Sequence, residues 1–459
     1  MPSAIFHTMT WSPRALAMVF LASSLSLISV TCGGGDEELP FGLKSEVVTT
    51  AERVSDMVFA PDGRLFYAEQ YTGNIRVVTA EGQLLDEPFA QLEVASYLGL
   101  DWGLTGLALD PDFATNHYLY AFYTKPEGAA TPAAAGPAPT AKPTVRGTAP
   151  AVVPIPILAT ATSPAVPATT PATNAAEPPS SASESAAPAP APVGRPTLVR
   201  FTERNNRGED VTVITEDFPV TPPEHPGING NGNIHFGPDG MLYVSIGDYD
   251  VPVQASSPAQ DLGSPVGKLL RIDPGGKAPA DNPFAQRAQA DHRIFAYGFR
   301  EPFDFAFRPN TDALYGTDNT PDTCEELNII KPGGNYGWPD VGEFPYATCG
   351  VGNQTPAVYY FAKPDTQPGD FLSLVEISGV EFVSAAVYPA LGDALLVCET
   401  GTGLLRRAVL GGPEGNPVTA NDILVKDCKR DITASPAGVI YYSNDTEIRR
   451  LAAPTTPSD

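Results

Sequence analysis

Basic residues are scarce in this chain: 28 lysines and arginines stand against 53 aspartates and glutamates, a formal net charge of -25. Such a surface repels nucleic-acid phosphates and anionic membrane headgroups, so neither is expected as a partner. Histidine is scarce too. Beyond the N-terminal region only His117, His225, His235 and His292 remain, and no two stand at metal-ligand spacing, which argues against zinc. Nucleotide fingerprints are missing, since Gly230-Asn-Gly232 precedes an expected strand and lacks a third glycine. There is no phosphate loop with its lysine and no Gly-x-Ser-x-Gly elbow. Amphipathic helical periodicity is nearly absent, which removes bundles and α/β layers.

The hydrophobic run Ala15 to Val30, after Arg14, is short for a membrane span and suits a signal sequence. It ends at Thr31-Cys32-Gly-Gly-Gly-Asp36, which resembles a bacterial lipoprotein signal, although Ser29 and Thr31 depart from the usual residues. Residues 1–31 are therefore expected to be a signal peptide, Cys32 the lipidated residue and 32–43 a tether; ordinary cleaved export is the alternative. Either way the protein is expected outside the cytoplasm, touching a membrane only through that anchor. Export makes the other four cysteines an oxidised set. Cys324–Cys349 and Cys398–Cys428 are the expected pairs, because each brackets one Gly-rich segment.

What the chain does have is a repeat. A strand–turn–strand unit recurs six times, with marker prolines at Pro61, Pro111, Pro238, Pro309, Pro389 and Pro436. Phe236-Gly-Pro-Asp-Gly240 followed by Met241-Leu-Tyr-Val-Ser245 is a representative copy: Pro238 sets φ and Gly240 supplies a permissive backbone. Only the gap between Pro111 and Pro238 is long. It contains an Ala/Pro/Thr/Ser tract, residues 127–196, that cannot bury enough apolar surface to offset ordering entropy and is expected to be disordered. Its flanks, Ala121–Thr124 and Leu198–Phe201, should pair as adjacent strands. Such a repeat predicts an all-β fold, a six-bladed β-propeller over 44–453 with a disordered insertion and a 454–459 tail; a large β-sandwich is the alternative.

Two stretches invite chemistry. Asn229-Gly-Asn-Gly-Asn233 is a polar loop with no evident packing role, leading into a strand. Asp318-Asn-Thr-Pro-Asp-Thr-Cys-Glu-Glu-Leu-Asn328 concentrates carboxylates and carbonyls, the hard oxygen donors calcium takes; a merely acidic loop is the alternative.

Glu325-Glu-Leu-Asn328 followed by Pro332-Gly-Gly-Asn-Tyr-Gly-Trp-Pro339, with Gly103-Leu-Thr-Gly-Leu-Ala-Leu-Asp-Pro-Asp-Phe113, Phe236-Gly-Pro-Asp-Gly240 and Tyr297-Gly-Phe-Arg-Glu-Pro302, resembles the soluble glucose/sorbosone dehydrogenase family. The resemblance implies a propeller that binds pyrroloquinoline quinone (PQQ) and Ca2+, oxidises a sugar at its anomeric carbon and passes electrons to an external acceptor. It implies metal ligation by Glu325 and the carbonyls of Thr320 and Pro321, and cofactor contacts from Arg300 and Arg430. A guanidinium suits both roles, its rigid fork matching planar oxygens. The blander reading is a blade-to-blade ion pair.

Other family positions are altered. Asn229 occupies the place of the general-base histidine, and an amide cannot take up a proton near neutral pH. Glu301 replaces an asparagine, Gly401 a cofactor-contacting lysine and Asp101 a glutamine. His225 or Glu301 could stand in as base; His235, between Ile234 and Phe236, is less well placed. The readings left open are a sugar dehydrogenase with an altered catalytic set, a non-catalytic calcium-stabilised propeller binding a sugar or protein, and an interaction scaffold.

Overall fold

A computed structural model describes residues 39–96, 102–127, 193–221, 229–249, 257–319, 325–339, 355–361, 375–411 and 418–453. Its strands, numbered β1 to β24 in chain order, form six antiparallel four-stranded sheets, the blades of a propeller. Blades 1 to 5 are β2–β5 (54–91), β6–β9 (104–215), β10–β13 (231–297), β14–β17 (305–361) and β18–β21 (377–425). Blade 6 joins β22–β24 (432–452) to the N-terminal β1, Lys44–Thr50, which pairs with β24 and closes the ring.

All six marker prolines fall between the first and second strands of a blade, on one face. Three of these turns share one hydrogen-bond pattern. Gly63, Gly240 and Gly438 donate to Ala60, Gly237 and Ser435 at 2.7–2.9 Å, each with φ between 73° and 89°. A Cβ on Gly240 would meet nothing within 4 Å, so glycine is there for its left-handed backbone alone.

The core is divided among the six seams between blades. Phe66 and Phe89 of blade 1 meet Phe113 and Phe201 of blade 2 edge to face, and Tyr120 meets Phe236 across the next seam. Each fully buried aromatic contributes about 1.5–3 kcal/mol through the area it removes from water.

The expected pairing of Ala121–Thr124 with Leu198–Phe201 is present as β7 and β8, with Ala121 opposite Val199. The strands run further than expected, to Pro126 opposite Gly194, so residues 194–196 belong to β8 rather than to the tract. Leu39 and Leu43, assigned to the tether, are buried in the seam between blades 5 and 6, and the packed domain starts there. Cys398 and Cys428 form a disulfide, Cα atoms 5.3 Å apart. The signal peptide, Cys32, the bulk of the tract, the 454–459 tail, Cys324 and Cys349 lie outside the described residues.

Candidate functional site

Antiparallel alternation puts the segment before each blade's first strand, and the loop between its second and third, on the face opposite the proline turns. Every described site candidate except His235 reaches this face.

Asn229, φ 49° and 1% exposed, is turned inward: its Nδ2 donates to Asp248 Oδ1 at 2.7 Å. Asp248 Oδ2 accepts from the Trp338 indole at 2.7 Å, and its backbone N–H donates to the Arg300 carbonyl at 2.7 Å. The loop has a packing role after all. A Cβ on Gly230 would lie 2.8 Å from the Trp102 ring, and one on Gly232 2.0 Å from Ser245 Oγ. Glycine is required there by close approach, a constraint invisible without the neighbouring blade.

Arg300 and Glu301 donate their backbone N–H groups to Asp318 at 3.1 and 2.6 Å. Burial, then the charge of Glu326, holds the Asp318 carboxyl well above its ordinary range despite these donors. The Arg300 guanidinium bonds the Asn319 carbonyl at 3.0 Å, lies 3.8 Å from Glu301 and sits over Trp338, 5.8 Å from its ring centre. Asn319 in turn exchanges two hydrogen bonds with Ile377 of blade 5.

Arg430 grips Asp445 through Nε and Nη2 at 2.8 and 2.5 Å. Arg53 and Lys429 approach the same carboxylate at 3.9 and 3.4 Å, so three cations surround one anion. Burial opposes ionisation of Asp445, but Arg430 and Lys429 hold it below its ordinary range. The ion-pair reading of Arg430 is thus realised, within blade 6 rather than between blades. Gly401 is exposed and its N–H donates to Val375 at 2.9 Å. Its loop is strapped to the Arg430 segment by Thr400 Oγ1 to the Lys429 carbonyl at 2.7 Å and by the disulfide.

These contacts form one ring around the channel mouth. They run from Asp445 through Arg53, Gln70 and Trp102 to Tyr249, whose N–H donates to the Asn229 carbonyl, then through Asp248, Trp338, Arg300 and Asn319 to Ile377; the neighbouring Glu376 carbonyl accepts from the Thr400 N–H and closes the path to Lys429. The ring brings together Asn229, Arg300, Glu301, Gly401 and Arg430. Arg53, Gln70, Asp248, Trp338 and Asp445 were missed in the sequence reading. Their signal was positional: Arg53 precedes β2 as Asn229 precedes β10, and Asp248 and Asp445 each follow a second strand by two residues.

Glu325 opens β16 fully buried and accepts from the Glu376 N–H at 3.4 Å. Among the described residues no three acidic, histidine or cysteine groups are arranged to hold a metal ion. Thr320 and Pro321 lie outside them, as do His225 and Asp101. His235 points to the propeller axis, its Nε2 2.9 Å from Asp304.

The model of the glucose/sorbosone dehydrogenase family matches residues 51–144 and 186–452, most of the chain. The chain belongs to that family. Among its relatives are an aldose sugar dehydrogenase of Escherichia coli, 26% identical over 54% of this chain and 66% of its own length, and quinoprotein glucose dehydrogenase B of Acinetobacter calcoaceticus, 23% identical over 66% and 53%. The chain thus spans about two thirds or less of these relatives' lengths. A Thermus thermophilus structure described as an oxidoreductase (glucose dehydrogenase) superposes with a TM-score of 0.62 at 26% identity, covering 89% of this chain and 100% of its own. The PQQ-bound aldose sugar dehydrogenase of Streptomyces coelicolor shares the fold: TM-score 0.59, 19% identity, 90% and 99% covered.

Proposed function

We propose that the ring-lined face binds PQQ and a sugar, and that the protein is a slow, exported sugar dehydrogenase whose usual proton acceptor has been replaced by Asn229. One observation carries this reading. A chain with a net charge of -25 places Arg53, Arg300, Lys429 and Arg430 around one channel mouth, beside Trp338 and Tyr71. Cations and aromatic planes are what a flat polycarboxylate needs. When bound, PQQ supplies the quinone that takes up hydride from the anomeric carbon.

The residues divide the remaining work. Arg300 and Arg430 hold oxygens, and Asp445 keeps Arg430 extended. Asn229 spends its N–H on Asp248 and fixes the loop. Glu301, 15% exposed beside Arg300, would accept the anomeric hydroxyl proton. Glu325, with the carbonyls of Thr320 and Pro321, is proposed to hold Ca2+, and Cys32 to carry the lipid anchor.

The test is dye reduction by the mature chain with PQQ and Ca2+ across a panel of aldoses. Slow turnover that Glu301→Gln abolishes, with PQQ affinity retained, is expected. Turnover unchanged by Glu301→Gln, but lost in His225→Ala, would assign the proton to His225 instead. The inward turn of Asn229 favours a second reading, a non-catalytic sugar-binding propeller; PQQ binding without any turnover would select it.

A further inference from the structure

Five ionisable side chains meet on the axis beneath the face: Asp56 of blade 1, His235 of blade 3, Asp304 of blade 4, Glu381 of blade 5 and Asp431 of blade 6. The first strand of blade 2, Leu104–Leu109, adds no ionisable group. Four carboxylates against one imidazole is a charge excess that burial makes costly.

The carboxylates differ in how many donors they meet. Asp304 has three: His235 Nε2 at 2.9 Å, Asn233 Nδ2 at 3.1 Å and the Val380 N–H at 2.8 Å. Asp56 receives the N–H groups of Met57 and Leu107, and Glu381 those of Phe382 and Ala434. Several of these bonds cross a seam: Asp56 to Leu107, Asn233 to Asp304, Asp304 to Val380, Glu381 to Ala434. Each staples one blade to the next. Asp431 has the fewest donors. It is 2% exposed, and its Oδ2 has no hydrogen-bond partner among the described residues.

We propose that Asp431 is held as a neutral carboxylic acid at the closure between blades 6 and 1, and that this proton acts as a latch positioning the face segments above it. An unpartnered buried oxygen costs less as C–OH than as a carboxylate facing Asp56, Asp304 and Glu381. Burial, then the charges of Asp56 and Asp304, raises Asp431 well above its ordinary value; burial likewise lifts Asp56 and Glu381 to about 7. His235 is raised too: burial opposes its charge, but Asp304, Asp56 and Glu381 outweigh it. His235 and Glu381 are only half-buried, so water reaches the cluster. The segments the latch holds also carry the face: Asp431 adjoins Arg430, Asp304 follows Arg300 by four residues, and His235 follows Asn229 by six.

The sign follows from linkage. A carboxyl whose folded value is raised stabilises fully below its unfolded value, and that stabilisation disappears as pH climbs through the folded one. For Asp56 and Glu381 the loss runs from about pH 4 to about 7, and the raised Asp431 and His235 add loss in the same direction as pH climbs. Melting of the mature chain is measured between about pH 5 and about pH 8, beside Asp431→Asn and Glu381→Gln. The wild type should lose several degrees, Asp431→Asn at most half of that, and Asp431→Asn should melt higher than wild type at the alkaline end. A flat or rising wild-type profile would overturn the proposal, as would a full slope in Asp431→Asn. Should that variant fail to fold, Asp431→Ser added to Glu381→Gln decides against Glu381→Gln alone: a further reduced slope supports the latch and an unchanged slope contradicts it. If the proposed PQQ site also holds, PQQ affinity weakens over the same range in wild type only. Melting alone tests the latch, so failure to bind PQQ leaves it standing.

Discussion

The axis and the face are built from neighbouring residues of the same segments and differ in what partners their charged groups. Along the axis, Asp56, Asp304 and Glu381 are answered by backbone N–H groups of the adjoining blade, so polarity there is spent on closing the ring. At the mouth, Arg53, Lys429 and Arg430 converge on the Asp445 carboxylate and Arg300 lies beside Glu301, so charge there is matched side chain to side chain. Asp304 lies only four residues past Arg300, and Asp431 directly follows Arg430. The lesson is that the axis carboxylates staple one blade to the next through backbone donors, whereas the guanidinium groups at the mouth are held by side chains and by the Asn319 carbonyl.

Substitutions can break or sharpen this contrast. The largest effect is expected at the face: Asn229→His would return a base beside Asp248 and raise dye reduction about 100-fold or more, read from initial rates. On the axis, Asp304→Ala would strand the Asn233 amide and the Val380 N–H without their acceptor and cost about 1–3 kcal/mol in denaturant unfolding. Reducing Cys398–Cys428, or Cys398→Ser, would cost about 3 kcal/mol through loop closure and loosen the Gly401–Arg430 strap. Arg300→Ala would weaken PQQ binding about 10- to 100-fold through a lost charge-assisted hydrogen bond, with a smaller change in melting. Far from both regions, Gly240→Ala would cost about 1 kcal/mol, because its φ of 73° suits no side chain. Axis variants should move stability first and face variants ligand binding first; the reverse order would dissolve the distinction.

The same contrast explains what could be read from the sequence. Turn chemistry is local, so the six prolines located every blade, and the pairing of Ala121–Thr124 with Leu198–Phe201 followed from the repeat. Arg300 and Glu301 were visible because they sit inside a contiguous motif. Asp248, Arg53 and Asp445 were not, because each acts on a residue from a distant stretch or another blade. The role of Gly230 was equally hidden, set by the Trp102 ring across a seam. His235 looked unimportant because strand alternation says which side it takes but not that the side is the axis.

A PQQ site at the mouth, with its base replaced, is tested by titrating PQQ into the mature chain with Ca2+ and following bound cofactor. Saturable one-to-one binding that weakens in both Arg300→Ala and Arg430→Ala is predicted. No binding, or binding indifferent to both arginines, would contradict it.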